Sequence, residues 1–258
     1  MRRDEVAAPL EVDDLHVTLG STPILTGISF TVHAGETVAL MGPNGSGKST
    51  LVKAIVGINP IHKGRVLFFG EEHPARRALS RVGYVPQRIH AGGGVPSTAL
   101  EVVRSGLLGP GRLFSRPGDK AKAMAALERV GLADRANQTV QTFSGGQAQR
   151  CLIARALVRE PELLIMDEPL AGIDATAKDQ LADTVAQMKG EGVTMLIVLH
   201  ETGTLTPLLD YAVSLQAGQI VSIGAPPEPE PGHDRPDHDH VHPHTDPRGP
   251  AITPDLKD

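Results

Sequence analysis

Four short apolar segments recur along the chain, and each is followed at once by a glycine or a polar residue. They are "VALM" before Gly42, "VGYVP" before Gln87, "LLIM" before Asp167 and Glu168, and "MLIVL" before His200. Nearly continuous apolar strands of this kind are typical of a parallel sheet covered on both faces. Open parallel sheets bind ligands beyond the carboxyl ends of their strands. The pattern therefore predicts an α/β fold in which these residues meet along one edge of a sheet.

Other stretches predict the elements around that sheet. Residues 10–40 alternate apolar and polar positions around the turn "GSTP", which predicts a small antiparallel sheet that "GRVLFFG" extends by a strand. Helical spacing appears in "KSTLVKAIVG" and then in "TALEVVRSGLL", "DKAKAMAALERVG" and "GGQAQRCLIARALV". We expect one domain over residues 1–225, with a core at about 1–88 and 159–225 and an inserted helical subdomain at about 89–158.

The last segment, residues 226–258, differs from the rest in composition. It is rich in proline, histidine and aspartate and has few apolar side chains. Because such a segment buries too little apolar surface to offset the entropy of ordering, we predict that it is disordered. His238, His240, His242 and His244 stand two apart among aspartates. Imidazoles and carboxylates suit Zn²⁺ and similar ions, so the tail is either a weak metal site or a solvated low-complexity segment.

The stretch "GPNGSGKST", directly after the first apolar segment, predicts a phosphate-binding loop (P-loop). Glycines let successive backbone amides turn toward one anion, and a following helix adds its free N-terminal amides. The spacing fits G-x-x-x-x-G-K-[ST], whose lysine reaches the β- and γ-phosphates and whose next hydroxyl ligates Mg²⁺. The predicted contacts to ATP and Mg²⁺ are Gly42, Pro43, Asn44, Gly45, Ser46, Gly47, Lys48, Ser49 and Thr50.

The polar residues at the other strand ends suit the hydrolysis of a triphosphate. Asp167 is placed to hold Mg²⁺ beside Ser49, and Glu168 can orient and deprotonate the attacking water. His200 can donate to the γ-phosphate, and Gln87 can contact the metal or the water. Each residue alone also has a structural explanation, such as a loop start or a solvated histidine. Their occurrence together in this order favours the catalytic interpretation.

Composition and charge exclude several classes of protein. The apolar stretches are shorter than the roughly 18 residues of a membrane span, and "MRRDEVAAPLEV" has acidic residues where a secretory signal is apolar. We therefore expect a cytoplasmic protein. The acidic tail accounts for the net charge of −5, and no basic stripe favours nucleic acid. The single cysteine, Cys151, lies in an apolar helical pattern that predicts a buried thiol.

A second cluster of helix-start amides is predicted in "TFSGGQAQR", where Ser144 occupies an N-cap position before two glycines. Taken alone, this is an ordinary capped helix. Together with the P-loop, "YVPQR", "LLIMDEP", "AGID" and "VLHE", however, it resembles the ATP-binding cassette (ABC) ATPases over residues 10–224. The resemblance implies a P-loop NTPase (RecA-like) core with a mostly parallel sheet, an N-terminal antiparallel β-subdomain and an inserted α-helical subdomain.

The same resemblance implies a head-to-tail homodimer or pseudo-dimer that encloses two ATP molecules. Each nucleotide would lie between the P-loop of one chain and the signature residues of the other. On this chain the residues concerned are Ser144, Gly145, Gly146 and Gln147, with Asp174 at the interface. Leu19 stands where such ATPases usually stack an aromatic side chain on adenine. Because an aliphatic side chain lacks that stacking, we predict weak discrimination between ATP and GTP.

The segment "PSTALEVV", together with "VLHE", resembles the cassettes of bacterial zinc, manganese or iron uptake systems. This resemblance implies an ATPase peripheral on the inner face of the cell membrane, an integral membrane permease as partner and an extracytoplasmic metal-binding protein. One alternative is a soluble ABC-type switch acting on nucleic acid or ribosomes, although neither a long coiled-coil insertion nor a second cassette is visible. Others are an ABC subunit for a different substrate and a small-molecule P-loop kinase, which would leave "SGGQ" and His200 unexplained.

Overall fold

The computed structural model describes residues 7–73, 76–87, 96–109, 112 and 114–227. Its strands are β1 (Leu10–Leu19), β2 (Thr22–Val32), β3 (Thr37–Met41), β4 (Lys63–Phe68), β5 (Glu71–Glu72), β6 (Val82–Val85), β7 (Leu163–Asp167), β8 (Thr194–Val198), β9 (Tyr211–Gln216) and β10 (Gln219–Gly224). Its helices are α1 (Lys48–Ile55), α2 (Arg76–Leu79), α3 (Ala99–Ser105), α4 (Asp119–Arg129), α5 (Gly145–Leu157) and α6 (Ala175–Gly190). None of the helices in this part of the chain has the length and hydrophobicity that a membrane span requires.

The central sheet contains the four apolar segments that the sequence singles out. Its strands lie in the order β10, β9, β3, β8, β7, β6, and all except β10 run parallel. Every residue of β3, β7 and β8 is buried, as expected for strands with both faces covered. The predicted mostly parallel α/β sheet is confirmed, and the carboxyl ends of β3, β8, β7 and β6 lie along one edge.

Alternate residues of these strands belong to two separate hydrophobic cores. One core includes Ala39, Ile197 and Met166 and extends to the inserted helices and α6. The other core includes Leu40 and Val198, and it extends to α1 and the antiparallel sheet. Each fully buried leucine or valine stabilises the fold by roughly 1.5 to 3 kcal/mol relative to its exposed state. The strand ends are therefore held by packing on both sides.

The antiparallel sheet has the strand order β2, β1, β4, β5, which confirms the strand predicted at "GRVLFFG". The predicted extent of this sheet, residues 10–40, is too long. It ends at Val32, and the following strand Thr37–Met41 belongs to the central sheet. The physical reason is that this strand is buried at every position and, apart from Thr37, apolar, so it has no side to turn toward solvent.

The helical insertion consists of α3, α4 and α5, which pack on one another. Helix α3 ends at Ser105, and at the next residue, Gly106, a Cβ atom would lie 2.1 Å from the carbonyl oxygen of Arg155 in α5. This contact fixes how closely α3 and α5 approach. Cys151 lies inside the insertion with no exposed surface, and burial raises the pKa of its thiol to about 12. The predicted buried cysteine is confirmed.

Candidate functional site

The P-loop connects the end of β3 to the start of α1. Gly42 has φ +140°, and a Cβ atom there would lie 2.1 Å from the carbonyl oxygen of Leu215. Gly47, at the N-cap of α1, has φ +106°, in the region that side-chain-bearing residues rarely adopt. The loop therefore needs glycine at both ends. At Gly42 the reasons are the close approach of Leu215 and the backbone angle, and at Gly47 the reason is the backbone angle at the start of the helix.

Lys48 is the first residue of α1, and the loop folds around its side chain. Its Nζ atom donates to the carbonyl oxygens of Gly42 (2.7 Å) and Pro43 (3.0 Å), and the residue is only 4% exposed. Burial lowers the pKa of this ammonium group, whereas the negative charges of Glu168 and Asp167 oppose that shift. A buried cation held mainly by backbone carbonyls is well suited to bind an incoming phosphate.

Three of the predicted strand-end residues meet at one carboxylate. His200 Nε2 lies 2.8 Å from Glu168 Oε1, and the Gln87 amide donates to the other carboxylate oxygen of Glu168. These residues follow β8, β7 and β6, which are neighbours in the central sheet. The parallel arrangement thus brings residues that are far apart in sequence within hydrogen-bonding distance. The edge that the apolar pattern predicts is a real cluster of side chains.

Glu168 itself has an unusual backbone. Its φ is +49°, in the left-handed region that non-glycine residues seldom occupy. Such a conformation costs of the order of 1 kcal/mol or more and persists only where the surroundings enforce it. Here it directs the carboxylate to the two side chains that hold it. Sequence reasoning did not find this feature, because nothing in "MDEP" indicates the backbone angle.

Asp167, the last residue of β7, is 3% exposed, and its Oδ1 atom has no hydrogen-bond partner. Burial, followed by the nearby charge of Glu168, raises the pKa of its carboxyl group. A buried carboxylate oxygen without a partner is unfavourable unless a cation or donor joins it. Hard oxygen ligands of this kind suit Mg²⁺, so the residues present fit the ion predicted between Asp167 and Ser49.

The predicted signature residues lie in a separate cleft of about 640 Å³. Ser144 caps α5 through a capping box with Gln147, in which each side chain accepts from the other residue's backbone N–H. Asp174 caps α6 and lies in the same cleft. A Cβ atom on Gly146 would lie 2.4 Å from the Cβ of Ala177, so only glycine allows α5 and α6 this close.

The cleft also contains two residues that the sequence did not single out, Arg135 and Arg150. Arg150 donates to the carbonyl oxygen of Val130, and burial lowers the pKa of its guanidinium group. Of the described residues that line this cleft, none belongs to the P-loop or to the Glu168 cluster. Each chain therefore has two distinct polar surfaces. One is the edge formed by the P-loop, Gln87, Asp167, Glu168 and His200, called the catalytic edge after its predicted role, and the other is the signature cleft.

The P-loop also has a support from the end of the domain. Gly218, in the turn between β9 and β10, donates its N–H to the Ser46 carbonyl (3.0 Å) and accepts from the Thr26 N–H (2.9 Å). A Cβ atom at Gly218 would lie 2.1 Å from the carbonyl oxygen of Ile24. The turn sequence "QAGQ" predicts a hairpin, but not its contact with a loop far away in the chain.

Leu19 and the tail histidines remain untested predictions. Leu19 ends β1 beside the hairpin turn and is 44% exposed. Residues His238, His240, His242 and His244 lie outside the described residues.

The ABC transporter family model matches residues 25–171, more than half of the chain. The protein belongs to the ABC transporter family. It is an ATP-hydrolysing subunit, as the sequence predicted.

Curated relatives cover most of this chain. It is 37% identical to the manganese transport system ATP-binding protein MntB of Bacillus subtilis over 82% of this chain and 85% of that protein. It is also 37% identical to the zinc transport system ATP-binding protein TroB of Treponema pallidum, over 85% of this chain and 82% of that one. Among solved structures, the ADP conformation of MJ1267, an ATP-binding cassette of an ABC transporter, matches with TM-score 0.76 and 27% identity, over 84% of this chain and 91% of that one.

Proposed function

We propose that this protein hydrolyses ATP to energise the import of a zinc- or manganese-type metal ion through an integral membrane permease. The structural observation that carries the ATPase part is the meeting of Gln87 and His200 at Glu168, beside a complete P-loop. The metal part is supported by the named manganese and zinc relatives. In this assembly the chain would be cytoplasmic and peripheral on the inner face of the membrane, and a metal-binding protein outside the cell would deliver the ion.

In the proposed mechanism Glu168 orients and deprotonates the water that attacks the terminal phosphate. His200 contacts one oxygen of the Glu168 carboxylate and Gln87 contacts the other, so the carboxylate is positioned before ATP binds. Lys48 compensates charge on the β- and γ-phosphates. Ser49, Gln87 and Asp167 would hold Mg²⁺, which supplies charge neutralisation on the phosphate oxygens when it is bound.

We also propose that two copies of the chain complete each nucleotide site. The signature cleft offers a helix N-terminus, Ser144 and two glycines, which are groups that bind an anion. In one chain these groups line a cleft apart from the P-loop. A head-to-tail dimer would place the Ser144 of one copy opposite the Lys48 of the other, with both copies of Asp174 at the interface.

A groove of about 360 Å³ next to the catalytic edge is the proposed docking place for the permease. Its walls include Gln87, Val140, Leu152 and Ile173. Gln149 is 7% exposed and its Nε2 has no partner, so the groove offers one buried donor in a mostly apolar lining. Since Gln87 also contacts Glu168, a permease element bound here would alter the position of the catalytic carboxylate.

The test of the metal function is cellular zinc and manganese content in a strain that lacks this gene. We expect the content of one of these metals to fall, with growth failing first in chelator-treated medium. The wild-type gene should restore the metal content. The Glu168→Gln variant should not, because it removes the base while it retains shape and volume. Unchanged zinc and manganese in the deletion strain would contradict the metal function without affecting the ATPase assignment.

Another substrate is the main alternative. The chain is 36% identical to the linearmycin resistance ATP-binding protein LnrL of Bacillus subtilis over 83% of this chain and 68% of that protein, so identity at this level does not select a cargo. Increased sensitivity of the deletion strain to an antibiotic, with normal metal content, would favour that alternative. Recovery of the protein only with ribosomes or DNA, and not with detergent-solubilised membranes, would favour a soluble switch.

The histidine tail is proposed as a weak site for Zn²⁺ or a similar ion. The tail begins next to the catalytic edge. Thr202 lies two residues after His200, and its hydroxyl donates to the carbonyl oxygen of Pro227 (3.4 Å). Neutral imidazoles are needed, so binding should weaken below about pH 6. Zinc titration of the full chain against a chain ending at Gly224 tests this. Equal binding by both would remove the tail from the account.

A further inference from the structure

One aromatic side chain in the helical insertion is left in water. Phe114 lies between α3 and α4 and is 83% exposed, the largest value among the exposed apolar side chains of the described residues. Leu108 in the same connection is 41% exposed, whereas Phe30 and Phe68 are buried. Burying a phenylalanine side chain is strongly favourable, so a ring left exposed indicates a surface that a binding partner could cover.

The connection that carries Phe114 is anchored on both sides. Asp119 is 4% exposed and accepts from the backbone N–H of Arg116 (2.8 Å) and the hydroxyl of Ser115 (3.1 Å), and it pairs with Arg112. Arg104 of α3 donates to the Ser115 hydroxyl (2.7 Å). The residues on either side of Phe114 in the described chain are thus fixed by a buried carboxylate, which presents the ring outward.

The charge around Phe114 is strongly positive. Residues 104–122 include five basic side chains, Arg104, Arg112, Arg116, Lys120 and Lys122, against one acidic side chain, Asp119. That one is buried and paired with Arg112. The stretch has a formal charge of +4, the difference of five and one, whereas the whole chain has −5. Arg116, Lys120 and Lys122 are exposed.

We propose that this basic-aromatic patch, formed by Leu108, Phe114, Arg116, Lys120 and Lys122, binds the anionic lipid headgroups of the membrane next to the permease. Basic side chains are attracted to the negative cytoplasmic leaflet, and an aromatic ring enters the headgroup region. A protein partner is disfavoured on charge, because cytoplasmic loops of membrane proteins carry an excess of lysine and arginine and would repel the patch.

The position of the patch agrees with the proposed permease groove, on whose assignment its membrane orientation rests. Thr98, at the start of α3, pairs with Thr139 next to the groove residue Val140. Helix α3 has seven residues, so the patch begins only about 10 Å from the groove. A chain docked on a permease would therefore keep the patch close to the bilayer.

The experiment is co-sedimentation of the full chain with vesicles that contain no permease. We expect binding to vesicles of phosphatidylcholine with phosphatidylglycerol, little binding to pure phosphatidylcholine, and release by salt. Phe114→Ser should weaken binding about tenfold, and the double change Arg116→Glu with Lys120→Glu by more than that. The matched controls are Ile58→Ser, which changes an apolar residue that is 59% exposed elsewhere, and Lys178→Glu. Both should bind like the parent.

Fluorescence gives a second readout, since the chain contains no tryptophan. In Phe114→Trp the single indole should shift its emission to shorter wavelength on anionic vesicles only. Equal binding to both vesicle types, or no effect of the patch variants, would overturn the proposal. So would patch variants that bind vesicles normally but no longer co-purify with the permease, which would indicate a protein contact. These measurements need no metal transport, so they are independent of the cargo experiment.

Discussion

The catalytic edge and the signature cleft contrast in chemistry, although we propose that both contact the same nucleotide. The edge gathers Lys48, Asp167, Glu168 and His200, and its charged groups already contact or influence one another within one chain. The cleft offers backbone amides, a hydroxyl and the space that glycine leaves, together with two arginine and two aspartate side chains. In our proposal the edge supplies the chemistry and the cleft supplies recognition of the nucleotide.

This difference is what we expect if, as proposed, two copies of the chain complete each nucleotide site. Charged residues converge at the edge because neighbouring strands of one sheet place them there. The cleft is formed by the start of α5 and the start of α6, and so it belongs to the helical insertion as much as to the core. Because the cleft contains neither the P-loop nor the Glu168 cluster, it would take part in hydrolysis only when a second copy supplies them.

The strongest test of the edge is Lys48→Ala. We expect ATP hydrolysis to fall about a hundredfold or more, because the loop loses the buried ammonium group that faces the phosphates. The measurement is steady-state phosphate release. Lys53→Ala, which removes an exposed lysine in the last turn of the same helix, is the matched control and should keep most of the activity. Normal hydrolysis by Lys48→Ala would refute the assignment of the loop.

The contrast itself is tested by mixing two inactive variants. Ser144→Arg should abolish hydrolysis by filling the cleft, while its P-loop remains intact. Mixed with Lys48→Ala, it can form dimers with one doubly damaged site and one intact site. If the sites act independently, an equal mixture should recover about a quarter of the parental rate, since half of the dimers are mixed and each has one good site. No recovery in a mixture shown to contain mixed dimers by light scattering and crosslinking would argue against shared sites.

We expect the site to discriminate only weakly between adenine and guanine. Leu19→Tyr is expected to tighten ATP binding by about tenfold, because a ring can stack on adenine where leucine only covers it. Competition between ATP and GTP, measured for the parent, Leu19→Tyr and Leu19→Ala, checks this. A strong adenine preference in the parent that Leu19→Ala leaves unchanged would show that another residue contacts the base.

The smallest expected effect concerns stability without nucleotide. Burial raises the pKa of Asp167 above its unfolded value near 3.9, so the folded state binds more protons and loses stability as pH rises through that interval. Above the folded-state pKa the full penalty is present. Asp167→Asn removes the cost of burying the ionised carboxylate. It should therefore raise the melting temperature at neutral pH by roughly 2 to 4 °C for each kcal/mol of that cost. Calorimetry in chelator-treated buffer measures it, and a lower melting temperature would contradict the argument.

Much of this site follows from the sequence, because its parts lie at strand ends and local patterns mark strand ends well. The P-loop glycines, Asp167, Glu168, His200 and the N-cap Ser144 all lie where the pattern places them. The left-handed backbone of Glu168 and the presence of Arg135 in the cleft were not predicted. Both depend on long-range packing, which leaves no local signal in the sequence. The end of the antiparallel sheet at Val32 was missed for the same reason, because alternation alone does not show which sheet a strand joins.

The contact between Gly218 and Ser46 has a consequence for biosynthesis. The loop predicted to bind the phosphates is encoded in the first fifth of the chain, yet the N–H group that holds its Ser46 carbonyl comes from a turn near the end of the domain. A ribosome that has released only the first half of the polypeptide has not yet made this brace. Nucleotide capture should thus begin late in translation, which would protect a half-made chain from closing on ATP.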